Sequence, residues 1–107
     1  VVGNNASSRT DTNYIGFTIN TWTMVTAVLD RTANTQTIIR NNFEESASTT
    51  PSGGTYSNNA NLNIGADYNG TNFHTNGKIA SVLLYNRALS STEVAQNFNA
   101  NRNRFGI

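Results

Sequence analysis

The chain has no cysteine, one proline, one histidine and one tryptophan, and only 12% of its residues are charged. Each shortage closes off a class of explanation. Without cysteine there is neither a disulfide framework nor a thiolate metal site. That absence fits any compartment, an extracellular particle included. The net charge is +1, so there is no electrostatic footprint for nucleic acid or an anionic membrane, and neither is expected as a partner. No apolar run approaches the length of a membrane span, which argues against insertion. No signal-peptide pattern opens the chain. It starts at Val1 rather than Met, and is expected to be a processed product or a piece of something longer.

What is present is patterned. A length of 107 residues suits one domain, near the lower end for a chain with its own core and no staples. The surface is made polar by Asn, Thr and Ser rather than by charge, yet 36% of residues are hydrophobic. Residues 1–13 suggest a short strand end and a loop. "YIGFTI" (14–19) sets Ile15, Phe17 and Ile19 on one face, the period of a half-buried strand. "WTMVTAVLD" (22–30) is apolar on both faces, with Trp22, Met24 and Val28 on one and Val25, Ala27 and Leu29 on the other. Its Thr, Val and Trp content favours a strand in the middle of a sheet. "RTANTQ" is a hairpin loop and 37–43 the return strand, with Asn41 and Asn42 tolerant of left-handed angles. The polar stretch 44–60 is a surface excursion with room for one edge strand. "NLNIG" (61–65) is expected to be a short strand pointing Leu62 and Ile64 inward, and 66–77 a loop. "KIASVLLYN" (78–86) carries the strongest strand pattern, again apolar on both faces.

A helix follows. Ser90 and Glu93 have capping-box spacing, and Leu89 and Val94 that of a hydrophobic staple. Both devices fit one register, predicting a helix over 91–100 with Val94 and Phe98 packing inward.

At this point the residues carry a resemblance. "WTMVTAVLDRTANTQTIIRNN", "LNIGADYNG" and "FHTNGKIASVLLYNRALSSTEVAQNFN" together resemble the concanavalin A-like lectin/glucanase superfamily, in its laminin-G-like and pentraxin-like modules. The most specific piece places Gly77, Ile79, Val82, Tyr85, Asn86, Leu89, Ser90, Glu93 and Val94 where that pattern wants them. Asn41-Asn42 stands where the pattern has Asn-Gly. The ending "QNFNANRNRFGI" is further similar to the ends of such modules in tailed-bacteriophage virion proteins. The resemblance implies an all-β fold: an antiparallel β-sandwich of the jelly-roll, concanavalin A-like kind with one short C-terminal α-helix. It covers 17–107, the C-terminal part of the module. A jelly roll has about eight strands and this sequence suggests about six. The expectation is therefore one laminin-G-like domain over 1–107 lacking the family's N-terminal strands, either as a fragment or with a neighbouring chain completing the sandwich.

Chemistry is sparse. Glycoside hydrolysis, which some members perform, needs two carboxyls flanking the scissile bond. The acids are Asp11, Asp30, Glu44, Glu45, Asp67 and Glu93, and no two stand two apart in a strand. His74 has no nucleophile motif around it, so no catalytic residues are assigned and no enzyme activity is expected. Calcium is the family's usual ion. Asp67 is a candidate ligand with Asn69, Asn72 or the Gly70 carbonyl, but a single carboxylate there favours an Asx-turn, and no cofactor is assigned. For carbohydrate, Tyr56, Tyr68 and Phe73 offer aromatic platforms, and Asn69 and Asn72 planar hydrogen-bonders. Against this stands the reading that the aromatics cover the end of the sandwich. In the tail, Arg102, Arg104 and Phe105 are candidates for partner contact, against a fold-back of Phe105 beside Phe98.

Two functions follow as expectations. The first is a non-enzymatic structural, decoration or adhesion protein on a virion surface, contacting copies of itself or other virion proteins and binding host glycans. The alternative is a secreted or cell-surface carbohydrate-binding lectin module of a larger protein. Both place the chain on a virion surface or outside the cell.

Overall fold

The computed structural model describes residues 2–5, 8–10, 15–51, 61–66, 70–72 and 74–107. Two short strands, β1 (Val2–Asn5) and β2 (Ser8–Thr10), pair antiparallel within the stretch expected to hold a strand end and a loop. A three-stranded antiparallel sheet follows, built from β3 (Val25–Asp30), β4 (Thr35–Arg40) and β5 (Glu45–Thr49) in the order β3-β4-β5. The helix α1 spans Ser91–Phe105. This antiparallel sheet with a C-terminal helix is consistent with part of a concanavalin A-like sandwich. Two packed sheets are not seen among the described residues.

The β3–β4 hairpin is held by local chemistry. The register runs from Val25 opposite Arg40 to Asp30 opposite Thr35. In the turn, Asp30 Oδ1 accepts from the Thr32 and Ala33 amides, both at 2.9 Å, an Asx-turn. The β4–β5 connection, 41–44, opens with Asn41 at φ 51. Its side chain caps the sheet: Oδ1 accepts from Met24 N at 3.0 Å and Nδ2 donates to Glu44 Oε2 at 2.9 Å. Its own amide donates to the Met24 carbonyl at 2.9 Å, carrying the β3–β4 pairing one step further. Thr37 and Ser48, opposite each other in β4 and β5, join their hydroxyls at 2.8 Å.

Three expected strands are absent. Residues 15–19 form no ladder; Ile15 is buried while Phe17 and Ile19 are exposed. Residues 61–65 bend, and Leu62 and Ile64 point outward. Most consequential is 78–86, the strongest strand pattern in the sequence, which joins no ladder and leaves Ile79, Val82, Leu83, Leu84 and Tyr85 exposed. The physical reason is common to all three. A strand exists by virtue of its neighbour's backbone, and no described residue pairs with these segments. The strand at 22–30 is shortened to Val25–Asp30 and the return strand shifts to Thr35–Arg40, while β5 supplies the edge strand.

The helix start is as the spacing predicts. Ser90 Oγ accepts from Glu93 N at 3.3 Å, and the Glu93 carboxylate accepts from Ser90 N at 2.9 Å. The helix runs five residues beyond 100, because nothing between Ala100 and Phe105 breaks it. Asn and Arg cost well under about 1 kcal/mol each in a helix interior. Gly106, at φ 69, ends it: its amide and that of Ile107 (3.1 Å) both donate to the Arg102 carbonyl. Among the described residues Ile15, Ile39, Pro51, Val94 and Phe98 are buried, with Gln36 and Asn41 as buried polar ones.

Candidate functional site

Four of the carbohydrate candidates, Tyr56, Tyr68, Asn69 and Phe73, lie outside the described residues, as does the metal candidate Asp67. Asn72 is exposed and donates to Thr71 Oγ1 at 3.1 Å. The loop around it folds back on itself: Thr75 N donates to the Gly65 carbonyl at 2.7 Å, and His74 Nε2 lies 3.1 Å from the Gly70 carbonyl. Gly65 makes this return possible. It sits at φ 79, and a Cβ there would stand 3.2 Å from Ile79 Cδ1. Among the described residues no three of His, Cys, Asp and Glu gather in a way that would hold a metal ion.

The acids have other partners. Asp30 is held by its turn amides. Glu45 Oε2 accepts from Gly16 N at 2.8 Å and pairs with Arg40 Nη1 at 3.0 Å, while Arg40 Nη1 donates to the Gly16 carbonyl. One salt bridge thus grips both polar groups of Gly16 and pins the segment to the sheet. Glu44 binds the Asn41 amide and stands 3.7 Å from Arg40 Nε. Glu93 takes a two-pronged contact from Arg87, at 2.8 and 2.6 Å, besides its capping bond. The Arg87 hydrogen bond, followed by the Ser90 amide, pulls the Glu93 carboxyl down to about 2. Each of these four carboxylates is thus engaged by a neighbouring amide or guanidinium. The Arg40 clamp was not visible in the sequence, because its partners lie up to 24 residues away.

The tail residues contact their own domain. Arg102 lies over the Phe98 ring, 5.2 Å from its centroid, and its Nε donates to the Ile107 carbonyl at 2.8 Å. Arg104 lies 5.4 Å from the Phe105 centroid. Phe105 meets Trp22 with centroids 5.3 Å apart and rings tilted by 49°. Asn97 Nδ2 donates to the Tyr85 hydroxyl at 3.0 Å, tying the helix to the segment before it. Phe105 therefore folds back, but onto Trp22 rather than beside Phe98.

Between β3, the segment 78–86 and the helix lies an open cavity of about 1690 Å³. Trp22, Val28, Ile79, Val82, Leu84 and Phe105 are among its lining residues. The double-sided apolar pattern of 22–30 and 78–86 was its sequence signal, misread there as ordinary burial.

No helix of the described residues is long and apolar enough to cross a membrane. No curated protein and no solved structure gives a significant match to the chain. A laminin G-type family model, described as the Concanavalin A-like lectin/glucanases superfamily, matches residues 2–95. That match takes in the β3–β4 hairpin, the 78–86 segment and the capped helix start, the same stretches whose motifs carried the resemblance. The chain belongs to the concanavalin A-like lectin/glucanase superfamily.

Proposed function

We propose that this domain is a non-catalytic carbohydrate-binding module working outside the cell. The observation that carries the proposal is the engagement of Asp30, Glu44, Glu45 and Glu93 in turn, clamp and cap contacts, in a chain of a lectin and glucanase family. These are four of the chain's six acids; Asp11 and Asp67 lie outside the described residues. What the family relationship leaves is recognition. Aromatic rings give sugars an apolar face to stack on, and amides supply paired donors and acceptors. Tyr56, Tyr68 and Phe73, with Asn69 and Asn72, are the residues assigned to that role, and Asp67 is where calcium would enter.

The virion-surface reading drew on the tail as a contact element. Arg102 and Phe105 are engaged with Phe98, Ile107 and Trp22, which favours the module over the decoration protein. The test is a glycan array on the intact chain with and without calcium. Binding to a restricted set of glycans, lost in Tyr68→Ala and Phe73→Ala, is the expected result. Failure to bind any glycan in either condition refutes the proposal. Release of reducing ends from a glucan refutes its non-catalytic part.

A further inference from the structure

Asparagine makes much of this surface polar, and it carries a latent reaction. The backbone nitrogen of the following residue lies within reach of the side-chain amide carbon and can close on it to form a ring. Three conditions decide where this happens. The next residue must leave its nitrogen uncrowded, that N–H must be free of a hydrogen bond, and the asparagine side chain must be free to swing.

Other described asparagines fail at least one condition. Asn97, Asn99, Asn101 and Asn103 lie within α1, where backbone amides are held along the helix. The Asn41 side chain is tied to the Met24 amide and to Glu44. Asn20, Asn34 and Asn86 are followed by Thr21, Thr35 and Arg87, each with a side chain that crowds its own nitrogen.

Asn76 meets all three. It is followed by Gly77, and both are exposed in a bend between the Thr75-to-Gly65 closure and the segment 78–86. Among the described residues neither the Asn76 side chain nor the Gly77 amide has a hydrogen-bond partner. Gly77 has no Cβ to shield its nitrogen, and glycine gives the bend the freedom to bring nitrogen and carbon together. The other Asn-Gly pair is 69–70. Asn69 lies outside the described residues, and the Gly70 carbonyl stands 3.1 Å from His74 Nε2.

We propose that Asn76 is a self-modifying site, at which the Gly77 nitrogen converts the side-chain amide to an acid without an enzyme. Hydroxide takes the Gly77 amide proton, and the nitrogen forms a bond to Asn76 Cγ. The bond from Cγ to the side-chain nitrogen breaks. That nitrogen leaves as ammonia with a proton from water, which restores the hydroxide. Water then opens the succinimide. Addition at Cγ gives aspartate; addition at the backbone carbonyl carbon gives isoaspartate, whose chain runs through Cγ. No oxidant or reductant takes part. The product sets a carboxylate two residues before Lys78 and adds one negative charge, taking the net charge from +1 to zero. Near zero net charge, proteins associate and precipitate more readily. The isoaspartate form also lengthens the backbone by one carbon ahead of 78–86. None of this depends on glycan binding.

The test ages the intact folded chain at neutral and at mildly alkaline pH. Peptide mapping by mass follows amide and acid at each asparagine, and an isoaspartyl methylation assay identifies the isomer. The expected result is conversion at Asn76 ahead of the α1 asparagines, faster at the higher pH, with isoaspartate among the products. Gly77→Ala should slow it at least about tenfold. That variant keeps the fold, because Gly77 is outside the left-handed region and a Cβ there would meet only Thr75 Cγ2, at 3.7 Å. The same ageing in urea supplies the control. Conversion in urea but not in the folded chain would mean that the bend holds nitrogen and carbon apart, and would overturn the proposal. Conversion confined to Asn69, or a rate unchanged in Gly77→Ala, would also sink it.

Discussion

Asn41 joins the two parts of the sheet that the sequence made most legible, and its replacement separates backbone strain from hydrogen bonding. Asn41 is 8% exposed and sits at φ 51. In Asn41→Ala two losses combine. An L-residue other than Gly or Asn in the left-handed region costs about 1–2 kcal/mol. The part-buried Met24 amide loses its acceptor at 3.0 Å, for a further cost of about 1–3 kcal/mol. Together they predict a loss of about 2–5 kcal/mol, a large share of the roughly 5–15 kcal/mol that holds a domain of this size. Asn41→Gly removes the same hydrogen bond but not the conformational tolerance. Its added unfolded-chain entropy costs about 0.5–1 kcal/mol, less than the strain it avoids. Asn41→Gly should therefore be milder than Asn41→Ala by about 0.5–1 kcal/mol. Asn41→Asp keeps the acceptor for Met24 and the backbone angle but sets a second carboxylate beside Glu44, so it should fall between wild type and Asn41→Ala. Urea unfolding of the four proteins, with a common m-value, measures all of this. If the glycine variant is no more stable than the alanine variant, the strain argument is wrong. If alanine costs under about 0.5 kcal/mol, so is the hydrogen-bond argument.

Phe43 is also at positive φ, 59, with a half-exposed ring, so Phe43→Asn should raise stability by about 0.5–1 kcal/mol, read from the same urea midpoints. Glu93 is lowered to about 2 by Arg87 and the Ser90 amide, so its contribution to stability is complete above the ordinary glutamate range. It is lost as pH falls from there towards 2; thermal melts of the wild type should show that acid limb, and melts of Glu93→Gln should flatten it. Trp22 is the only tryptophan and touches Phe105, so Phe105→Ala should shift Trp22 emission to the red and cost about 0.5–1.5 kcal/mol beyond the lost burial. An unchanged spectrum would mean that the helix end does not dock on Trp22 in solution.

What was legible in the sequence is what local chemistry decides. Ser90 and Glu93 cap the helix three residues apart, and Asp30 caps its own turn within three. Asn41 was recognisable from its backbone tolerance alone. The two caps carry their partners close by in the chain, whereas Asn41 bonds Met24, 17 residues away. The helix end was misplaced although its stop, Gly106, is local; the Trp22 contact to Phe105 in the last turn is the part that comes from far away in the chain. The site was less legible still. Arg102 and Phe105 look the same in sequence whether they face a partner or their own core, and the geometry of Phe98, Ile107 and Trp22 is what turns them inward.

The segment 78–86 shows where such reasoning stops and what it still delivers. Alternation states how many faces of a strand should be covered; it does not state by what. Here Ala80, Val82 and Leu84 on one face, and Leu83 and Tyr85 on the other, specify cover on both. Among the described residues Tyr85 is tethered to Asn97, while Val82, Leu83 and Leu84 stay exposed. Leaving that surface in water forgoes about 1.5–3 kcal/mol for each large apolar side chain. Four of them amount to a large part of a small domain's stability. A sequence selected to fold does not keep so much unburied without a use. The mismatch between the 78–86 pattern and its surroundings therefore measures cover that the described residues do not supply.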